Sequence, residues 1–206
     1  MESLTIREAR SEDIDGFVKV LMRIYKGKFK TIFGSKIKEG QSALSQEMKT
    51  RKSLEGNLIA IIDGLIVGAV ILKTKETKQN FFQTLKIFLN NLGIYGGLRA
   101  FFVGGYHQSI SERFISRDGC YVENLFILPE FRKKGIGKRL MQRAEEFARE
   151  KNKKFMYGFA EVSNISARKL DTKSGFKEIR IKKSILTKIF FDIPAWVYEK
   201  KLLDNE

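Results

Sequence analysis

A chain of 206 residues, 43% hydrophobic, with two prolines and 17 phenylalanines, has the material for one core and does not read as a linker or a disordered polymer. Its net charge of +15 favours anionic partners such as nucleotides, nucleic acid or acidic surfaces, although a lysine-rich proteome would give the same balance. One cysteine and one histidine exclude an internal disulfide and a cluster of soft metal ligands, and no run reaches the ~18 apolar residues that span a bilayer. In chain order, residues 4–8 read as a strand. Ser11 then caps a helix running to about residue 28, with Ile14, Phe17, Val18, Leu21 and Ile24 on one stripe. A weaker helix covers about 41–52. Residues 57–62 and 65–73 are β-branched apolar runs joined by Asp63-Gly64, a hairpin signal. Residues 75–118 hold FFQTLKIFLNNLGIYGGLRAFFVGGY, too apolar for a linker and without a plain period. They read as a helix over 81–92, a Gly-rich turn and a short helix near 98–103. A strand over 119–127 leads into a helix over 135–151, with Ile136, Leu140, Ala144, Phe147 and Ala148 on one face. A strand over 154–162 follows, then a helix over 166–174 that Gly175 ends in a left-handed conformation. Strands over 176–183 and 195–200 complete a mixed α/β (α+β) chain, expected to be a single domain over 1–206.

The opening MESLTIREAR lacks the basic start and apolar run of a signal peptide, which together with the lone cysteine predicts a cytoplasmic location. A Ser-His-Asp triad would have to use His107, which has no nucleophile elbow near it. Cys120 reads as a buried structural thiol.

The informative run is ENLFILPEFRKKGIGKRLMQRAEEFA, residues 123–148. A phosphate cradle needs backbone N–H groups at a helix start, and small residues so that the phosphate can approach. Gly135 and Gly137 are the small residues. Arg132, Lys133, Lys134 and Lys138 are the cations. Four cations at a helix N-terminus oppose the helix dipole, which makes more sense with an anion in place than as a solvated turn. The spacing matches neither a Walker A loop nor a dinucleotide Gly-x-Gly-x-x-Gly.

The stretch VENLFILPEFRKKGIGKRL resembles the GNAT acetyltransferase superfamily, whose Gln/Arg-x-x-Gly-x-Gly/Ala motif is met by Arg132 to Gly137. SNISARKLDTKSGFKEI, WVYEKKL and LTIREARSEDIDGF resemble further blocks of that family, leaving only 75–118 outside the likeness. The resemblance implies a central mixed, mostly antiparallel sheet flanked by helices, with a helical, Gly-rich insertion before the strand that binds the cofactor. It implies acetyl-CoA as cosubstrate, no metal, and an amine acceptor that is a small molecule or a protein amine. It places the pyrophosphate on the amides of residues 132–138, Ile136 included. The pantetheine arm would lie along Phe126, Ile127 and Leu128, with Asn164 touching the arm. Asn164 reads equally well as a plain helix N-cap.

Glu123 matches a general-base glutamate of the spermidine/spermine-type acetyltransferases. An acceptor amine with a pKa near ~10 must lose a proton before it attacks a thioester. By strand alternation Glu123 is expected on one face with Tyr121, Leu125 and Ile127. A structural ion pair is the plain alternative. The family's thiolate-protonating Tyr is replaced by Asp171. An ionised Asp cannot donate, so Asp171 is expected to hold a cationic acceptor or to pair with Lys169 or Lys173, with Tyr157 a weaker donor. The insertion is expected to cover the acceptor side as a mobile lid or a homodimer contact, hinged at Gly93, Gly96, Gly97, Gly104 and Gly105. A passive layer over the core is the alternative. A non-catalytic acetyl-CoA- or nucleic-acid-binding module of the same fold is the competing class. Scattered basic residues and the absence of an RNA-binding signature weigh against nucleic acid.

Overall fold

The computed structural model describes residues 3–77, 80–112 and 116–203. Seven strands form one sheet in the order β1-β2-β3-β4-β5-β7-β6. They are β1 (Thr5–Glu8), β2 (Asn57–Ile62), β3 (Leu65–Lys73), β4 (Gly119–Ile127), β5 (Phe155–Glu161), β6 (Lys177–Lys183) and β7 (Ala195–Leu202). Every pairing is antiparallel except β4 with β5. This is the expected mixed, mostly antiparallel sheet. Among the described residues no helix is long and apolar enough to cross a membrane.

The helices are α1 (Ile14–Ile24), α2 (Lys26–Phe33), α3 (Ile37–Lys49), α4 (Phe81–Glu112), α5 (Ile136–Glu150), α6 (Ile165–Lys173) and α7 (Ile185–Phe191). The sheet separates two apolar layers. On one side Leu140, Ala144, Phe147 and Ala148 of α5 pack on Leu58, Val70 and Cys120. On the other side Phe17 and Val18 of α1 and Phe29 and Phe33 of α2 pack with Ile59, Ala69 and Phe126. Burial of the Cys120 thiol raises its pKa to about 12, in line with a structural role.

Several elements depart from their expected bounds. The helix read over 11–28 breaks at Tyr25, and α2 continues in a new direction so that Phe29, Ile32 and Phe33 reach the core. The start of α1 is fixed by Asp13, which accepts from the Arg10 amide at 2.7 Å, and Ser11 makes no side-chain cap. α3 begins at Ile37 and ends at Lys49, and α7 is unforeseen. The insertion is largely α4. Gly93 (φ 73°) is the expected turn, but the second arm runs to Glu112 instead of stopping near 103. Gly96, Gly97, Gly104 and Gly105 are helical, so of the five expected hinges only Gly93 breaks the helix. At Gly97 a Cβ would lie 2.7 Å from Leu89 Cα, so its small size lets the two arms touch. Ile87, Phe88, Leu92, Ala100 and Phe101 join the main core, which makes this segment a packed layer. The side chain of His107 lies outside the described part of the structure.

Candidate active site

β4 and β5 pair only over Gly119–Tyr121 and Phe155–Tyr157. Beyond that the two strands part, and β5 goes on pairing with β7 as far as Glu161. A cavity of about 340 Å³ fills the fork, lined by Glu123, Asn124 and Leu125 on one side and Gly158, Ala160 and Glu161 on the other. Asn164, Leu170 and Asp171 of the α6 region close it below, and Tyr25 and Lys28 close it above. The crossover that parallel neighbours need is supplied here by α5.

The helix start at the mouth of β4 has the geometry of an anion site. Lys133 (φ 62°) and Gly135 (φ 78°) turn the chain, and α5 begins at Ile136 with no side chain capping it. The first amides of α5 therefore lack intrahelical acceptors. Arg132, Lys133, Lys134, Gly135 and Lys138 are exposed, whereas Ile136 and Gly137 are buried. The two glycines differ in role. A Cβ on Gly135 would meet open space, whereas one on Gly137 would lie 3.2 Å from both Ile127 Cδ1 and Leu170 Cδ2. Gly137 thus serves the seating of α5 on the strand, and Gly135 the turn. Arg132 Nε donates to the Ile127 carbonyl at 3.1 Å, and Lys134 lies over the Phe131 ring. The Leu128 amide donates to the Val67 carbonyl, and the Phe126 ring packs edge-on against Phe17 and Tyr25. The cavity lining on β4 ends at Leu125, and Phe126, Ile127 and Leu128 lie between it and the start of α5.

Glu123 keeps the face of Tyr121, as strand alternation predicts, but not that of Leu125 and Ile127. The register runs Ile71↔Asn124 and then Leu72↔Val122, so Glu123 is the extra residue of a β-bulge. Leu125 and Ile127 turn toward α5, while Glu123 lies with Lys73 and the α2 residues on the opposite face. The expected shared face with Leu125 and Ile127 is therefore corrected. Lys73 Nζ donates to Glu123 Oε1 at 2.8 Å. Burial pushes the Glu123 carboxyl up, but the charge and hydrogen bond of Lys73, helped by Lys28 and Arg51, bring it below its ordinary value. The ion pair expected as the plain alternative is present, and Glu123 also lines the cavity. Burial takes the Lys28 ammonium down to about 8, with Glu123 opposing and Lys73 assisting. Glu161, on the other side of the fork, is pushed up by burial against a hydrogen bond from Ser163.

Asp171 lines the same cavity, without the expected pairing to Lys169 or Lys173. It stands beside Glu199 of β7, which is 2% exposed. Burial raises Asp171 against a hydrogen bond with Glu199. Burial also raises Glu199, with the Asp171 charge adding to it. Two ionised carboxylates have no donor between them, and a proton retained on Glu199, raised to about 8, supplies it with Asp171 as the acceptor. An ionised Asp171 is thus compatible with a proton held on Glu199, 28 residues away in sequence. Tyr157 does not join the site. Its hydroxyl meets Ser116 Oγ at 3.5 Å at the closed end of the fork. Asn164 lines the cavity and also caps α6, its Oδ1 accepting from the Ala167 amide at 3.1 Å.

Sequence reasoning missed Tyr25, Lys28, Lys73, Glu161 and Glu199. The first two sit at the break between α1 and α2, and the others reach the site only through sheet pairing. No local pattern marks them.

The model of the acetyltransferase (GNAT) family matches residues 21–176. An uncharacterized N-acetyltransferase of Archaeoglobus fulgidus is 27% identical over 166 residues, 81% of this chain and 88% of that protein. An N-acetyltransferase structure from Staphylococcus aureus Mu50 superposes with a TM-score of 0.61 at 14% identity, covering 98% of this chain and 99% of that one. The structure of yncA from Salmonella typhimurium, solved with its cofactor acetyl-CoA, gives 0.59 at 14% identity, covering 99% and 96%.

Proposed function

The chain belongs to the acetyltransferase (GNAT) family and is an N-acetyltransferase, and from that premise we propose that it moves an acetyl group from acetyl-CoA to an amine by direct attack in a ternary complex. The observation that carries the reading is the continuity of one cavity from the β4–β5 fork to Glu123, with the basic start of α5 at the mouth of the strand. The amides of 136–138, with Arg132, Lys133, Lys134 and Lys138, hold the pyrophosphate. The backbone of Phe126, Ile127 and Leu128 positions the pantetheine arm, and Asn164 borders it. The likeness to the Salmonella typhimurium structure solved with acetyl-CoA supports the fold that this pose requires.

Glu123 removes the proton of the incoming ammonium, directly or through one water. Its carboxylate is already ionised at neutral pH because Lys73 holds it so. The proton kept between Asp171 and Glu199 passes to the departing thiolate. Glu199 is the source of that proton, and Asp171, which lines the cavity, relays it. A second reading exchanges the base. Glu161 lines the same cavity with a raised pKa, closer to that of an efficient base. Calorimetric titration with acetyl-CoA, followed by a thiol-release screen against amines with Glu123→Gln and Glu161→Gln, tests both. Failure of acetyl-CoA to bind would end the proposal. A rate lost in Glu161→Gln but kept in Glu123→Gln would move the base to Glu161.

A further inference from the structure

A second and larger cavity, about 620 Å³, lies between α2, α3, the end of β3 and α4. That is ample room for a small-molecule ligand. It is divided by chemistry. One end holds Lys28, Arg51, Lys73 and Lys75 against Glu47 and Glu123, four cations to two carboxylates, a surplus of two positive charges. Both carboxylates are committed. Arg51 donates to Glu47 at 2.8 Å, and Lys73 to Glu123 at 2.8 Å. Lys28 and Lys75 have no carboxylate partner among the described residues. The other end is aromatic, walled by Phe29, Phe33, Phe88 and Phe101. Among the described residues, only Lys28 and Glu123 line both this cavity and the one in the fork. They form the boundary across which a group in one cavity reaches the other.

Three acceptor chemistries can be set against this arrangement. A polyamine would add positive charge to an end already positive by two, in a site where burial strengthens repulsion. A plain apolar amine would use the aromatic end and Glu123, leaving the spare cations unmatched. An amine that also bears a carboxylate, on a large apolar body, matches all of it. Its ammonium meets Glu123, its carboxylate meets Lys28, Arg51 and Lys75, and its side chain lies among the phenylalanines.

We infer that the larger cavity is the acceptor pocket and that the acceptor is an α-amino acid with a large apolar or aromatic side chain, its amine presented at the Lys28–Glu123 boundary to the acetyl group in the fork. This rests on the acetyl-transfer reading above and adds the acceptor's class to it. The surplus charge selects the carboxylate and the α2–α4 aromatics select the side chain. Glu123 faces the amine from the acceptor side, which is the side a proton acceptor must occupy.

The test compares L-phenylalanine, 2-phenylethylamine and spermidine as acceptors by CoA release, with acetyl-CoA binding measured separately by calorimetry. Phenylalanine is expected to show a kcat/KM at least about tenfold above either other amine, the worth of one charge-assisted contact. Lys75→Ala and Arg51→Ala should each raise the KM for phenylalanine about tenfold with kcat within about twofold, and leave 2-phenylethylamine unaffected. Arg51→Ala strands the buried Glu47, so exposed Lys75 carries the test if that variant does not fold. Normal acetyl-CoA binding with spermidine or 2-phenylethylamine preferred, or with phenylalanine not turned over, overturns the inference alone. So does an unchanged phenylalanine KM in Lys75→Ala. A chain that does not bind acetyl-CoA overturns the acetyl-transfer reading instead.

Discussion

Lys73 and Glu123 meet at 2.8 Å, 50 residues apart in sequence, because Lys73 pairs with Tyr121 across β3 and β4 and Glu123, two residues on, shares that face. Their side chains are 6% and 15% exposed, so each is the other's main compensation for lost water. Lys73→Met keeps the volume and removes the charge that opposes burial. Without it the Glu123 carboxyl rises. The acid limb of the kcat/KM pH profile should then shift to higher pH, with activity at pH 9 far less affected than at pH 6. An unmoved limb would show that this profile does not report Glu123.

Glu123→Gln keeps the shape and deletes the proton acceptor. Turnover at pH 7 should drop at least about tenfold, with the gap closing as pH rises and the amine deprotonates unaided. Steady-state rates from pH 6 to 10 measure this. Full activity at pH 7 would leave Glu123 as an ion-pair residue only.

At the start of α5, Arg132→Ala combined with Lys138→Ala should weaken acetyl-CoA binding by about tenfold or more, an effect that added salt diminishes. Both side chains are exposed, so the melting temperature should hardly move. Gly137→Ala behaves differently. Its Cβ would press on Ile127 and Leu170 at 3.2 Å, costing stability by about 1–3 kcal/mol as overpacking does. Calorimetry and thermal unfolding on the two variants separate the anion site from the helix seat.

The Asp171–Glu199 pair predicts a pH-dependent stability. Both carboxyls are raised by burial in the folded chain, Glu199 further by Asp171 and Glu178 and less by the opposing Arg168. Their unfolded values lie near ~3.9 and ~4.3. A raised folded pKa means that the stabilising contribution is whole below those values and is lost as pH rises through the folded ones. Glu199→Gln should therefore be closer to, or above, the parent in melting temperature at pH 8 than at pH 4.5. A parallel offset at both values would deny the retained proton.

α4 is expected to exchange its amides slowly over residues 87–101 whether or not acetyl-CoA is present, because Ile87, Phe88, Leu92, Ala100 and Phe101 belong to the main core. Ligand-dependent protection there would restore the mobile-lid role.

The sequence by itself determined the order and kind of most elements, the Asp63-Gly64 hairpin, the α5 stripe and the basic glycine turn. Each of these is written in a local pattern of period two, period 3.6 or turn chemistry, and the family likeness rests on the same local blocks. Where local signals were weak, only the tertiary structure decided. The α1–α2 break at Tyr25 lies inside an apolar run that reads as one helix, and α7 is too short to announce itself. The site shows the same division. Glu123, Asp171 and Asn164 could be singled out by position, but not what surrounds them. Alternation put Leu125 and Ile127 on the wrong face, because a bulge is a property of two strands in register and not of one. The carboxylate partner of Asp171 could not be read, because Glu199 arrives from β7. The spare cations and the aromatic wall of the larger cavity come from α2, α3, β3 and α4. Burial and charge pairing are sums over neighbours in space, and residues so far apart in the chain acquire those neighbours only when the sheet and its two layers close.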